Sequence, residues 1–173
     1  GVDKYKQLVN EWFAVAIQSK DVMLHQEYYA TFAVSTPNTD TLKGLVWMCS
    51  HFNDSQTIYK ISKLAERCYQ KIPGKGPAAP SLGNACLFTL YKTEGLEGIS
   101  QLSRLKLRIK QNNTQGIIEK YLNQAADEQG ISVYEIEDLA ADEFDLSDGK
   151  RTWEFDDYKA QITLLSVGKV ETK

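Results

Sequence analysis

Most of the chain carries apolar residues at the three- and four-residue spacing of an amphipathic helix, which limits the possible folds more than any other feature. The first such stripe runs over about residues 3 to 19. The spacing recurs in three later segments of about 30 residues each, at roughly 41–71, 82–110 and 114–140. The sequence therefore predicts a mainly α-helical protein.

The three later segments each predict a pair of helices, and Cys49, Cys68 and Cys86 fall at nearly even intervals along them. This organisation is typical of packed helical hairpins of the HEAT or armadillo kind. The segments share no sequence identity that would support a strict repeat. We therefore predict a HEAT-like arrangement from the organisation of the helices alone.

Two regions interrupt these pairs. Residues 22–34 predict a helix, although their aromatic and β-branched side chains also suit a strand. A break follows at residues 35–38, because Pro37 restricts the residue before it. Residues 72–84 predict a single long loop, since three of the four prolines of the chain lie there.

Capping residues set the predicted helix boundaries. The residues placed at helix starts are Asp40 or Thr41, the run Asn53-Asp54-Ser55, Ser81, Thr114 and Ser132. Gly130 is predicted to end a helix, because glycine readily adopts the left-handed conformation found there. Glu135 stands three residues after Ser132, the spacing of a capping box.

The apolar period changes to two after Leu146, which predicts a small antiparallel β-hairpin or meander. The predicted organisation is a helical domain over residues 1–149 and a hairpin or meander over 150–173, packed on the same domain. The first residues, Gly1-Val2-Asp3, contain no methionine, and the last strand stops at residue 173. We therefore expect a piece excised from a longer protein.

The chain has 173 residues with 20 Lys and Arg, 23 Asp and Glu and a net charge of −3. It has no apolar run of about 18 residues and no basic cluster before an apolar run, so the sequence predicts a cytoplasmic protein without a membrane partner. The three cysteines are an odd number at wide spacing. They predict reduced, buried thiols.

Charge is unevenly distributed. Residues 1–126 carry 15 basic and 10 acidic side chains, whereas residues 127–149 carry nine acidic ones and no Lys or Arg. The candidate acidic interaction face consists of Glu135, Glu137, Asp138, Asp142 and Glu143. Either this face is exposed to solvent and its charge balances that of the basic residues 1–126, or it docks on another domain of the parent chain or on a protein partner.

Two groups of residues are candidate anion sites. Arg104, Lys106, Arg108 and Lys110 form a basic cluster that could contact nucleic acid, although their split over two helix faces also suits packing. The second group is Gly74, Lys75 and Gly76 with Asn84, in and after the loop. Backbone N–H groups and one lysine there could hold a phosphate, although the Walker spacing is missing and the loop could be structural.

No catalytic residue, metal site or cofactor is predicted. The chain has no Gly-x-Ser-x-Gly motif, and His25 and His51 have no acidic partner at a fixed spacing. The acidic run before Gly149 lacks two ligand positions of a calcium-binding loop. The lack of these motifs favours a protein that is not an enzyme. An enzyme of an unrecognised type is the alternative.

Several ordered motifs resemble the domain-of-unknown-function 4132 family, which includes MolR-type bacterial proteins and often carries a WGR domain. The motifs are Leu42-Lys43-Gly44-Leu45-Val46-Trp47, Pro73-Gly74-Lys75-Gly76-Pro77, Gly83-Asn84-Ala85-Cys86, Gln101-Leu102-Ser103-Arg104-Leu105 and Glu135-Ile136-Glu137-Asp138-Leu139. The likeness covers about 110 residues and departs from the family pattern near residues 140–146. It implies a fragment of a large, mainly bacterial, cytoplasmic protein, and the family has no accepted catalytic residues that could be carried over to this chain.

Three functions follow as hypotheses. The first is a non-catalytic interaction or scaffold module, indicated by the helical hairpins and the uneven charge. The second is a nucleic-acid-linked regulatory module that uses the basic cluster. The third is an anion-binding or enzymatic domain that uses the loop and Lys75.

Overall fold

The computed structural model describes residues 1–19, 23–24, 30–31, 36–72, 76–139, 149–156, 158–166 and 169–172. By their contacts the residues form two compact units, Gly1–Ala140 and Ala141–Lys173. The described helices are α1 (Val2–Gln18), α2 (Thr36–Met48), α3 (Ser55–Tyr69), α4 (Pro80–Lys92), α5 (Glu97–Arg108), α6 (Asn112–Gln129) and α7 (Val133–Leu139). A 3-10 turn, Cys49–His51, follows α2. The predicted boundary between residues 149 and 150 stays a prediction.

Helix α4 lies at the centre of the first unit, where it packs against α2, α3, α5 and α6. Its side chains Leu82, Leu87 and Leu90 are fully buried, and burial of one such side chain contributes about 2 kcal/mol to folding. Helix α1 packs on α3, and α7 packs on α5 and α6. The mainly α-helical prediction is confirmed, whereas HEAT-like packing is not.

Three predicted helix boundaries are confirmed by their hydrogen bonds. The Thr57 backbone N–H donates to Asp54 Oδ1 at 2.9 Å, which caps α3. Gly130 ends α6 with a φ of +66°. Ser132 and Glu135 form the reciprocal bonds of a capping box, since each backbone N–H donates to the other side chain, at 2.6 and 3.2 Å.

Three other predicted helix starts are wrong, because each lies later in the chain than the observed start. Helix α2 begins at Thr36, not at Asp40 or Thr41, and α4 begins at Pro80, not at Ser81. A proline fits the first turn of a helix because the N–H that it lacks has no partner there. Thr114 is a buried residue inside α6.

Two irregular regions contain short antiparallel strand pairs. Strands β1 (Met23–Leu24) and β2 (Ala30–Thr31) pair where a helix was predicted, so the helix is wrong for these four residues. Strands β3 (Lys71–Ile72) and β4 (Gly76–Pro77) pair inside the predicted long loop. This pairing joins the end of α3 to the start of α4.

The second unit contains the antiparallel meander that the sequence predicts. Its strands are β5 (Lys150–Phe155), β6 (Tyr158–Ser166) and β7 (Lys169–Thr172), in the order β5-β6-β7. The register pairs Trp153 with Ala160 and Leu164 with Val170. Paired residues share a face, so apolar side chains are gathered on one side of the sheet.

All three cysteines are free and buried, as predicted. The pKa of Cys49 is raised to about 12, mainly by burial and also by the nearby Asp54 carboxylate, while Lys6 lowers it. The Cys49 thiol therefore stays protonated at neutral pH. Within the described residues, no helix has the length and apolar character that crossing a bilayer requires.

Candidate anion-binding cleft

A cleft of about 520 Å³ lies where the carboxyl ends of α3 and α5 meet. Both helices end at a residue that lines it, Tyr69 in α3 and Arg108 in α5. The other lining residues come from the end of α1, from α3 and its continuation into β3, and from the connection after α5. They are Ile17, Lys63, Glu66, Arg67, Gln70, Lys71, Ile109, Lys110 and Gln111.

The lining is strongly basic. Five of the lining residues are lysines or arginines, and one, Glu66, is acidic. The basic residues are Lys63, Arg67, Lys71, Arg108 and Lys110. Like charges gathered around a concave surface raise the local concentration of anions, because the protein walls focus the field. The cleft therefore attracts anions although the whole chain is acidic.

Helical spacing brings the α3 residues to the cleft. Lys63, Glu66 and Arg67 stand three and four positions apart, so they share one face of α3. Helix carboxyl ends carry partial negative charge, which stabilises cations placed beside them. Lys110 shows this effect, because its Nζ donates to the Leu107 carbonyl oxygen of α5 at 2.7 Å.

Glu66 joins the two helices inside the cleft. Its Oε1 lies 2.5 Å from Nη1 of Arg108 on α5, and its Oε2 lies 3.2 Å from Nζ of Lys63 on α3. The carboxylate is about a quarter exposed, at 26%. Each ion pair of this partly exposed kind stabilises the fold by at most about 1 kcal/mol.

Two further contacts fix the shape of the cleft. The Arg67 guanidinium donates from Nε and Nη2 to the Ser19 carbonyl oxygen, at 3.1 and 2.8 Å, which ties the end of α1 to α3. The Gln111 Nε2 donates to the Tyr69 carbonyl oxygen at 2.6 Å, which ties the connection after α5 to the end of α3. These hydrogen bonds hold the carboxyl ends of α1, α3 and α5 together at the cleft.

Gln111 also brings an unsatisfied acceptor to the cleft. Its Oε1 is buried and accepts no hydrogen bond from the described residues. A buried acceptor without a donor costs about 1–3 kcal/mol, so such atoms usually have a partner in the working state of a protein. Gln111 lines the cleft, and a turn of its side-chain amide would present this acceptor to an N–H group there.

The predicted basic cluster is divided by the fold. Arg108 and Lys110 line the cleft, whereas Arg104 and Lys106 do not. Lys106 Nζ lies 3.5 Å from the Glu137 carboxylate and 3.7 Å from that of Glu119. Arg104 is half-buried on α5. The cluster is therefore not one continuous stripe.

The residues of the predicted anion loop do not form a described site. Gly74 and Lys75 lie outside the described residues. Gly76 belongs to β4 with a φ of +99°, and Asn84 Oδ1 accepts a hydrogen bond from the Tyr69 hydroxyl at 2.5 Å. That bond gives Asn84 a structural role between α3 and α4.

The acidic face is described only in part. Glu135 caps α7, Glu137 pairs with Lys106, and Asp138 is exposed on α7. The hydrogen bonds from Ser132 lower the pKa of Glu135. Asp142 and Glu143 lie outside the described residues. Within the first unit, Glu137 of this face is thus paired with a basic residue, Lys106 of α5.

Sequence reasoning missed the α3 side of the cleft. Lys63, Arg67 and Lys71 recur every four residues, a basic stripe at helical spacing that is visible in the sequence. Their meeting with Arg108 was not visible, because about 40 residues separate the two groups. Only the packing of α3 on α5 brings them together.

The described lining has a net positive charge, which suits binding of an anion. It contains no Ser, Cys or His, and its groups able to transfer a proton are Glu66, Tyr69 and three lysines. Burial raises the pKa of Tyr69, with the Cys86 and Cys68 thiols adding to the rise, so its hydroxyl stays neutral. Among the described residues, no three His, Cys, Asp or Glu side chains form a metal-binding group.

Compared with known protein families, curated proteins and solved structures, the chain has no match. The resemblance to the domain-of-unknown-function 4132 family therefore stays a prediction.

Proposed function

We propose that this protein is a non-catalytic interaction module that binds an acidic segment of a protein partner, or of another domain of its parent chain, in the basic cleft. The observation that carries this proposal is the meeting of five cationic side chains from α3, β3, α5 and the connection after α5 around one concave surface. Complementary charge of this kind steers a partner and fixes its orientation.

The make-up of the cleft favours a protein segment over nucleic acid. Single-stranded nucleic acid usually binds where bases stack on exposed aromatic rings. The aromatic residue that lines the cleft is Tyr69, which is only 4% exposed and donates its hydroxyl to Asn84. Ile17 and Ile109 supply apolar lining, which suits peptide side chains. Nucleic acid binding is therefore the alternative outcome of the test.

The finer parts of the structural prediction belong to the same proposal. We infer that α2 to α7 stack as helical hairpins of the HEAT kind, in a bacterial cytoplasmic protein related to the domain-of-unknown-function 4132 family. In support, α4 packs on α5 and α6 packs on α7, and α4 also contacts α6, while α2 and α3 pack mainly on α4 rather than on each other.

The test is binding of a short fluorescein-labelled peptide of alternating Glu and Ser, measured by fluorescence anisotropy. The double variant Lys71→Ala and Lys110→Ala removes two cations of the cleft, and we expect it to bind about tenfold more weakly, since each charged contact contributes roughly 0.5–1 kcal/mol. The control, Lys4→Ala with Lys120→Ala, removes two exposed lysines outside the cleft and should bind within about twofold of the unmodified protein.

Equal binding by the two double variants would contradict the proposal. Labelled single-stranded DNA of the same length provides the second arm. DNA binding that is tighter than peptide binding and falls steeply with salt would favour the nucleic-acid alternative.

A further inference from the structure

Glu66 stands where the anion of a ligand would bind. Its carboxylate contacts Lys63 and Arg108, the pair of cations that joins α3 to α5 across the cleft. A carboxylate of a partner that entered this position would replace one carboxylate with another. The exchange would add little binding free energy, because the same two cations would make the same kind of contact.

A phosphate monoester differs from Glu66 in charge and in shape. It carries a charge of about −1.5 to −2 at neutral pH and has three acceptor oxygens. The cleft has cations for them beyond the pair that Glu66 already contacts. Lys71 is exposed and has no ion-pair partner among the described residues, and Lys110 contacts only a backbone carbonyl oxygen among them. A phosphate, with three acceptor oxygens, therefore contacts more of these cations at one position than a single carboxylate can.

Gln111 points to a ligand that also carries N–H groups. Its buried Oε1 accepts no hydrogen bond from the described residues, and inorganic phosphate dianion has a single O–H, attached to the same group that the cations hold. The backbone of a peptide has one N–H for nearly every residue. A phosphorylated peptide supplies both the anion for the cations and the donor for Gln111.

We propose that the cleft recognises a phosphorylated serine or threonine in a protein segment, and that Glu66 is a built-in competitor that the phosphate displaces from Lys63 and Arg108. This inference rests on the proposed function and names the modification that regulates it. Without phosphorylation, the ion pairs of Glu66 keep the cleft closed to weakly charged segments.

The test compares three peptides that share one neutral sequence of Gly and Ala and differ at the centre. The centre is serine, phosphoserine or two adjacent glutamates, so that the last two have similar charge. We expect the phosphoserine peptide to bind at least about tenfold tighter than the glutamate peptide in isothermal titration calorimetry. Equal binding of these two would overturn the inference while the proposed function stands, and no binding of either would overturn both.

The role of Glu66 has its own pair of variants. Glu66→Gln removes the competing charge and should tighten binding of the phosphoserine peptide about threefold or more. Glu119→Gln removes a carboxylate that pairs with Lys106 outside the cleft, and should leave binding unchanged. Weaker binding by Glu66→Gln would show that Glu66 positions the cations, and would overturn the competitor role. Inorganic phosphate that displaces the phosphopeptide at equal concentration would overturn the recognition of a segment.

Discussion

Gly98 holds α4 and α5 close together because it has no side chain. A Cβ at this position would lie 2.2 Å from the Leu90 carbonyl oxygen and 3.2 Å from Cβ of Thr93. A carbon atom cannot approach a carbonyl oxygen to 2.2 Å, so a larger residue must move α5. Gly116, in α6, has nothing within 4 Å of the same position.

The two glycines form a matched pair for a stability measurement. We expect Gly98→Ala to lower the free energy of unfolding by roughly 3 kcal/mol, the upper range for overpacking of a core. We expect Gly116→Ala to raise it by about 1 kcal/mol, because alanine favours an exposed helix. Urea denaturation followed by circular dichroism measures both. Equal effects of the two substitutions would show that α4 and α5 do not approach as described.

The residue scale also shows why half of the cleft was not predicted. Arg108 and Lys110 were singled out because they alternate with apolar residues over a short stretch of sequence. Lys63 and Glu66 were not, since a lysine and a glutamate three positions apart are common on exposed helices. Lys63 and Glu66 matter for the cleft because Glu66 also contacts Arg108 on another helix. A contact between residues so far apart in the chain leaves no local sequence pattern.

Among the elements, α3 depends most clearly on Asp54, the capping residue that precedes it. The Asp54 carboxylate accepts a hydrogen bond from the Thr57 backbone N–H and lies 3.2 Å from Nζ of Lys6 on α1. Burial raises the pKa of Asp54, but these contacts with Thr57 and Lys6 outweigh it and hold the pKa below 3.8. The cap therefore joins the start of α3 to α1.

We expect Asp54→Ala to lower the free energy of unfolding by about 1 kcal/mol at neutral pH. The pKa of Asp54 is lower in the folded state than its ordinary value of 3.8. Its contribution is therefore complete above that ordinary value and is lost as the pH falls through the folded-state pKa. Urea denaturation over a pH series should show the variant and the unmodified protein converging in acid.

The control for this cap is Asp40→Ala. Asp40 is 63% exposed and pairs with Lys43 within α2, so its loss should change stability by less than about 0.5 kcal/mol. A pH-independent difference for Asp54→Ala would contradict the account of the cap.

Helix ends were predictable where the cap is the only strong local signal. Gly130 and the Ser132–Glu135 box are such cases, and both are confirmed. Ser81 was wrong because Pro80 competes for the start of the same helix and fits its first turn. The pair β1–β2 was missed because local propensity there suits both a helix and a strand, and pairing of distant residues decides between them.

At the scale of the whole molecule, the helical class and the small sheet followed from the change of apolar period. The function did not follow in the same way, because the chain has a net charge of −3 and its basic residues are spread over the sequence. The fold gathers five of them at the ends of two helices. Local charge made by packing, not overall charge, is therefore the basis of the proposed binding.

The most direct test of this claim is a titration of the isotopically labelled protein with the peptide of alternating Glu and Ser, followed by ¹H–¹⁵N correlation spectra. We expect the backbone amide signals of residues 63–71 and 108–111 to shift together along one binding curve. The signals of α6 away from the cleft should stay in place. Shifts confined to other surfaces, or no shifts at a concentration that saturates peptide binding, would contradict the account.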